Sequence, residues 1–152
     1  MDYNFAYIEE LLYTYNNKEQ VLKKIDLELQ EIKLRYLDGN IGAIDYSKDK
    51  IQTSNLSNTV EEQVIKAEEQ TEKLIKEKAL LEIHYAKLEL ALANITDIEQ
   101  KIVEYKYFKG KCYYTWNAIS KMTGLNRTSC IHYRNKLIQN IITEYNIKKK
   151  CY

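Results

Sequence analysis

Residues that break regular structure are rare in this chain of 152 residues, which contains no proline and four glycines. The backbone can therefore continue in one regular element over long stretches, and its breaks can be located. Glu, Lys, Leu and Ile, which are compatible with helices, are abundant, and 45% hydrophobic residues are enough to bury a core. The sequence predicts an all-α protein of one domain or two small ones. The glycines are Gly39, Gly42, Gly110 and Gly124.

The most regular segment runs from Thr59 to Ile95, where seam positions recur at alternating steps of four and three. Thr59 and Glu62 have the spacing of a capping box at its start. A repeat with this period is typical of a coiled-coil seam. The seam positions are Val60, Val64, Ala67, Thr71, Leu74, Lys78, Leu81, Tyr85, Leu88, Leu92 and Ile95.

An earlier apolar stripe predicts a long amphipathic helix with one slip of phase near Asn16 and Asn17. Residues 39–58 are predicted to connect the two helices, with a short helical turn near Tyr46 to Ile51. The two stripes favour a long antiparallel hairpin, resembling a coiled coil, over residues 1–95, and a parallel dimeric coiled coil is the alternative. The earlier stripe comprises Phe5, Ile8, Leu12, Tyr15, Leu22, Ile25, Leu29, Ile32 and Tyr36.

Some apolar residues of the second stripe lie off its seam, so that end of the helix is expected to be covered by the C-terminal region or by a partner subunit. These residues are Leu80, Ile83, Leu90 and Ala93.

Residues 96–152 are predicted to form a separate domain of three helices. Thr96 and Glu99 have the spacing of a second capping box, and the helix that follows is expected to end at Gly110. The apolar face of that helix is predicted to comprise Ile98, Ile102, Tyr105 and Phe108.

Two further helices are predicted around a short turn. Thr115 is a favourable N-cap for a helix from Trp116 to Met122, and Gly124 suits a turn that needs a positive φ. Asn126 is the predicted cap of the last helix, which begins at Arg127.

The last helix is predicted to have two chemically different faces. Cys130, Leu137 and Ile141 follow an inward spacing, with Tyr133 or Arg134 between them. The outward residues suit contacts with base edges and phosphates, as in the second helix of a helix-turn-helix, although a charged surface helix would also be polar. The candidate DNA-binding residues are Thr115, Asn126, Arg127, Thr128, Ser129, Ile131, His132, Arg134, Asn135 and Lys136.

The charge is distributed unevenly along the chain, although the net charge is only +1. From Asp97 onward there are eleven Lys or Arg against four Asp or Glu, a net of +7, so residues 1–96 carry −6. Without the lysines at 148–150 the basic region still carries +4. This asymmetry indicates that the C-terminal region contacts DNA phosphates, while the acidic hairpin serves as an interaction arm.

Metal, cofactor, membrane and enzyme functions are not expected. Cys112, Cys130 and Cys151 form no CxxC pair, and together with His132 they match no common zinc spacing. No apolar run approaches the roughly 20 residues of a membrane span, and the N-terminus lacks a leader, so a cytoplasmic protein is predicted. His84 lies beside the seam with no nucleophile near it in the pattern, which favours a packing role.

A family resemblance begins at Ile98, in the run IEQKIVEYKYFKGKCYYTWNAISKMTGLNRTSCIHYRNKL. It resembles the sigma-factor region 4 type of helix-turn-helix, in which an Ile-Val-Tyr helix is followed by a Trp-x-x-Ile helix and a Gly-Leu turn. The wider plan, including DYSKDKIQTSNLSNTVEEQVIK before the long helix, is similar to phage-encoded late transcriptional regulators of the RinA and ArpU type. Two features depart from this pattern: Cys130 stands where Val or Ile is usual, and the chain lacks the sigma region that binds the promoter −10 element.

The resemblance implies a sequence-specific DNA-binding regulator in a bacterial host cell. Its implied partners are double-stranded DNA and RNA polymerase, with a homodimer as a further expectation. The alternative is a helical structural or DNA-packaging adaptor, similar to a small terminase subunit, in which the helix-turn-helix is incidental.

Overall fold

The computed structural model describes residues 4–37, 54–109 and 114–147. These ranges contain α-helices and no strand, which confirms the all-α prediction. Two of the helices continue into a wider π-helical turn, at Lys33–Leu37 and Glu104–Phe108. The α-helices are α1 (Phe5–Tyr15), α2 (Lys18–Ile32), α3 (Ser54–Leu92), α4 (Asp97–Val103), α5 (Trp116–Thr123) and α6 (Arg127–Ile147).

The chain divides into two compact units, and the division differs from the predicted boundary between residues 95 and 96. The first unit combines Met1–Lys18 with Ile83–Tyr152, and the second unit is Glu19–Glu82. Helix α1 therefore belongs with the C-terminal helices. A sequence pattern could not reveal this, because it records the period of a stripe and not the partner against which the stripe packs.

The second unit contains most of α2 and the first part of α3. Nζ of Lys78 lies 2.7 Å from Oδ1 of Asp26, and this hydrogen bond raises the pKa of the Lys78 ammonium. Further along α2, Ile32 and Arg35 line a groove together with Gln70 of α3. Residue numbers thus rise on α2 as they fall on α3, as in an antiparallel pair. The hairpin over the whole range 1–95 stays a prediction.

The predicted stripes match the burial of side chains, although the predicted helix boundaries differ. Each seam residue from Val60 to Ile95 is buried or half-buried, as is each residue of the earlier stripe. The slip of phase at Asn16 and Asn17 is a break between α1 and α2, at which the Asn17 amide donates to the Thr14 carbonyl at 2.9 Å.

The predicted capping box at Thr59 is wrong. Helix α3 begins at Ser54, so Thr59 lies inside it, and the end of the predicted connection is already helical. A local spacing of Thr and Glu cannot exclude a helix that starts one turn earlier. The predicted turn near Tyr46 to Ile51 falls outside the described residues.

The core of the first unit lies where α1 and the C-terminal helices meet. Helix α1 packs against α6 and against the π-helical turn Glu104–Phe108. The Asn16 side chain donates to the carbonyl of Phe108 at 2.9 Å, so the end of α1 satisfies an acceptor at the end of that turn. The fully buried side chains are Ile8, Leu12, His84, Leu88, Ile102, Val103, Ile119, Cys130, Ile138 and Ile141.

Among the described residues, none covers the off-seam positions to the extent expected. Leu80, Ile83 and Leu90 are 40%, 52% and 68% exposed, and Ala93 is exposed as well. Ile98 is also exposed, at 39%, so its predicted inward position on α4 is wrong. The buried face of this helix instead continues from Ile102 and Val103 to Tyr107, because the π-helical turn shifts the period.

Candidate nucleic-acid interface

The α5–α6 pair is fixed by polar groups on both sides of its turn. Oγ1 of Thr115 accepts from the Ala118 amide at 3.3 Å, which confirms the predicted cap of α5. Gly124 ends α5 with a φ of 73°, also as predicted. Oδ1 of Asn126 accepts from the Ser129 amide at 2.7 Å, which satisfies one of the first amides of α6. Inside the turn, the Ser120 hydroxyl donates to the Leu125 carbonyl at 2.5 Å.

The inward faces of these helices meet in one apolar cluster. Ile102 of α4, Ile119 of α5 and Cys130 of α6 are each fully buried there. Cys130 thus acts as a small apolar residue, with its Sγ 3.4 Å from Oγ1 of Thr123. Tyr114 packs against this cluster as well. The burial of Leu137 and Ile141 confirms the predicted inward spacing, and Ile138 adds a position that the pattern missed.

The opposite face of α6 is exposed and polar. The exposed residues from Thr128 to Gln139 that form this face recur at steps of three and four, so they share one side of the helix. Arg127 is exposed in the first turn, while Ser129 and Ile131 are half-buried at the flanks. Sequence reasoning omitted Gln139, which continues the same period one turn further. The exposed residues of this outward face are Thr128, His132, Asn135, Lys136 and Gln139.

No carboxylate interrupts this region, because residues 116–143 contain neither Asp nor Glu. Lys121, Arg127, Arg134 and Lys136 supply its positive charge. A groove of about 600 Å³ runs beside the outward face, and polar or basic side chains line most of it. The lining consists of Phe5, His132, Arg134, Asn135, Lys136, Gln139 and Asn140. This is the electrostatic character of a surface that can approach phosphates.

Arg134 differs from the other candidate residues, because its guanidinium is engaged inside the protein. Its side chain is only 16% exposed, and its NH1 donates to Oε1 of Glu9 at 2.6 Å. The guanidinium carbon lies 5.1 Å from the ring centre of Phe5 and 5.3 Å from that of Trp116. Both residues proposed as inward between Cys130 and Leu137 are half-buried. Arg134 bonds Glu9 of α1, and Tyr133 packs beside the apolar cluster.

The structure therefore exposes five of the ten candidate residues on α6, leaves Ser129 and Ile131 half-buried at the flanks, and engages the other three elsewhere. Arg127, Thr128, His132, Asn135 and Lys136 are exposed on α6. In contrast, the polar atoms of Thr115 and Asn126 cap helices, and Arg134 faces α1.

Comparisons with family models, curated proteins and solved structures found no match for this chain. Within the ranges 4–37, 54–109 and 114–147, no three His, Cys, Asp or Glu side chains cluster in a way that could hold a metal ion. None of the helices in those ranges has both the length and the apolar character needed to cross a membrane.

Proposed function

We propose that this chain is a sequence-specific DNA-binding transcriptional regulator, with α6 as the recognition helix of a helix-turn-helix. The observation that carries the proposal is the outward face of α6, which is exposed, polar and free of carboxylates. The caps at Thr115 and Asn126 and the turn at Gly124 support it, because they hold this face in a fixed relation to α5.

The chemistry of the outward face fits the major groove of double-stranded DNA. Arg and Lys can donate to O6 and N7 of guanine, and Asn and Gln can pair with adenine. Lys136 and the flanking polar side chains suit phosphate oxygens, which position a protein without reading sequence. A dimer with paired α6 helices about 34 Å apart would read a palindromic site.

The phage-type assignment rests on the resemblance of residues 98–137 and of the wider helical plan. On that basis we place the activity in the cytoplasm of a bacterial host, with RNA polymerase as the second partner and with no enzymatic step. Transcription from a template that carries the selected site, with and without the chain, tests this part of the proposal. An unchanged transcript level would leave DNA binding intact and remove the regulatory role.

The decisive experiment for DNA binding is selection of sites from a random duplex library by the full chain. A shared motif should emerge, and its affinity should fall steeply with salt because bound Lys and Arg release counterions. Lys73, an exposed cation on α3, provides the matched control for Lys136. If no motif emerges, or if Lys73→Ala and Lys136→Ala weaken binding equally, α6 is not the DNA-binding element.

A further inference from the structure

We propose that Glu9 of α1 is a positioning residue for the DNA-reading face of α6 and that it acts through Arg134, a role that rests on the proposed function. Helix α1 would then belong to the DNA-binding unit and not to a separate acidic arm. Oε1 of Glu9 accepts from NH1 of Arg134 at 2.6 Å and from the hydroxyl of Tyr107 at 2.9 Å.

This contact is largely withdrawn from solvent. The side chains of Glu9 and Arg134 are 26% and 16% exposed, so their attraction is less screened than that of a surface pair. Tyr107 is 5% exposed, and the pKa of its phenol is raised, first by burial and then by its hydrogen bond to Glu9. The hydroxyl therefore keeps its proton and continues to donate to the carboxylate.

Two aromatic rings lie beside the guanidinium. Phe5 of α1 and Trp116 of α5 each lie within 5.3 Å of the guanidinium carbon, a distance at which a cation is attracted to a ring face. Helices α1 and α5 thus contact the Arg134 side chain directly, and Tyr107 of the π-helical turn holds its partner Glu9. A cation held from several directions resists both rotation and sliding of the helix that carries it.

Rotation of α6 matters because the outward residues adjoin Arg134 in the chain. Asn135 follows it directly, and Arg134, His132 and Asn135 line the same groove. A binding constellation keeps its selectivity only when it is held within roughly 0.5 Å and 10–20° of its productive geometry. Loss of the Glu9 carboxylate leaves the Arg134 charge without its ion-pair partner, so α6 would shift and its outward residues would meet other base edges.

The test compares Glu9→Gln with Glu10→Gln in the full chain. Glu9→Gln keeps the size of the side chain and removes its charge, while Glu10 is the next residue along α1 and is exposed. The probes are a duplex selected by the wild-type chain and its single-base-changed versions. The quantity measured is the ratio of dissociation constants between changed and selected duplexes.

This ratio separates positioning from stability. Partial unfolding reduces the fraction of competent protein, which weakens binding to each duplex by the same factor and leaves the ratio unchanged. A misplaced α6 changes the ratio itself. We expect a wild-type ratio of roughly 5–150 for a changed base pair, falling toward about 1 in Glu9→Gln and unchanged in Glu10→Gln.

Should Glu9→Gln fail to fold, as judged by its thermal melt, Phe5→Leu becomes the deciding variant, because it removes a ring beside the guanidinium and keeps an apolar side chain. If the folded variant has the same ratio of dissociation constants as the wild type, Glu9 and Arg134 do not position α6, and the proposed function is unaffected. A wild-type chain that selects no duplex overturns both.

Discussion

Arg127 is the residue of α6 that we propose to read a base. It lies in the first turn of α6, it is exposed, and its fork of donors matches O6 and N7 of a guanine. We expect Arg127→Ala to weaken binding to the preferred duplex by about 1–3 kcal/mol and to relax the choice of base at one position. Competition titrations against matched and single-base-changed duplexes measure both effects. Equal losses on all duplexes would make Arg127 a phosphate contact, and base reading would move to Thr128, Ile131 and Asn135.

Lys136 is expected to behave differently, because a flexible ammonium on the outward face suits phosphates. Lys136→Ala should weaken all duplexes alike and reduce the slope of log K against log salt by about 0.9, the contribution of one released counterion. Affinity measured over a series of salt concentrations gives this slope, and Lys73→Ala serves as the control. A loss confined to one base position in the Lys136 variant would contradict the phosphate assignment.

For single residues, the sequence predicted the two faces of α6 well and the role of Arg134 poorly. Inward and outward positions follow from the helical period alone, and burial of Cys130, Leu137 and Ile141 agrees with it. The partner of Arg134 stands 125 positions earlier in the chain, so no local pattern could show that its charge is already used. His132, by contrast, lies where the helical period predicts it, exposed on the outward face.

At the scale of an element, the N-cap of α6 is a testable source of stability. Asn126→Ala removes the acceptor of the Ser129 amide and should lower the free energy of unfolding by about 0.5–2 kcal/mol. Urea denaturation followed by circular dichroism measures this change. The control is Asn140→Ala, an exposed position inside the same helix, where alanine should cost nothing because it is the better helix former. Equal losses in the two variants would show that the cap does not stabilise α6.

Caps and breaks explain which helix boundaries could be predicted. At Thr96 the full capping box is present, with the Thr96 amide donating to Oε2 of Glu99 at 3.0 Å, and α4 begins where the sequence predicted. At Thr59 the same spacing occurs inside a helix, so the spacing alone does not determine where a helix begins. Gly124 predicted the end of α5 more reliably, because a φ of 73° is energetically costly for residues other than glycine.

The whole first unit depends on α1 in a way that the sequence did not predict. A fragment that starts at Asn94 contains the whole predicted C-terminal domain and its basic charge. That fragment lacks Ile8 and Leu12, which are fully buried, and it lacks Glu9 beside Arg134. We expect it to lose its cooperative thermal transition and its selectivity for the selected duplex. A fragment that folds and discriminates as the full chain does would contradict this dependence on α1.

Stability of the whole molecule should also depend on pH through His84, which is fully buried and hydrogen-bonded through Nδ1 to the Tyr7 hydroxyl. Burial, and then the charge of Lys87, lower its pKa below the usual value. The unfolded chain therefore takes up a proton at a higher pH than the folded chain does. The stabilisation is complete above the unfolded pKa of about 6.5 and is lost as the pH falls through the lower folded pKa.

Thermal melts between pH 8 and pH 5 test this directly, because the chain has only one other histidine. His84→Gln cannot titrate in this window, so its melting temperature should fall less below about pH 6.5 than that of the wild type. The control is His132→Gln, which replaces the exposed imidazole on α6 and leaves His84 in place. If the melting temperature of His84→Gln falls with pH as the wild type does, and that of His132→Gln falls less, the pH dependence arises at the outward face. It then does not arise in the core between α1 and α3.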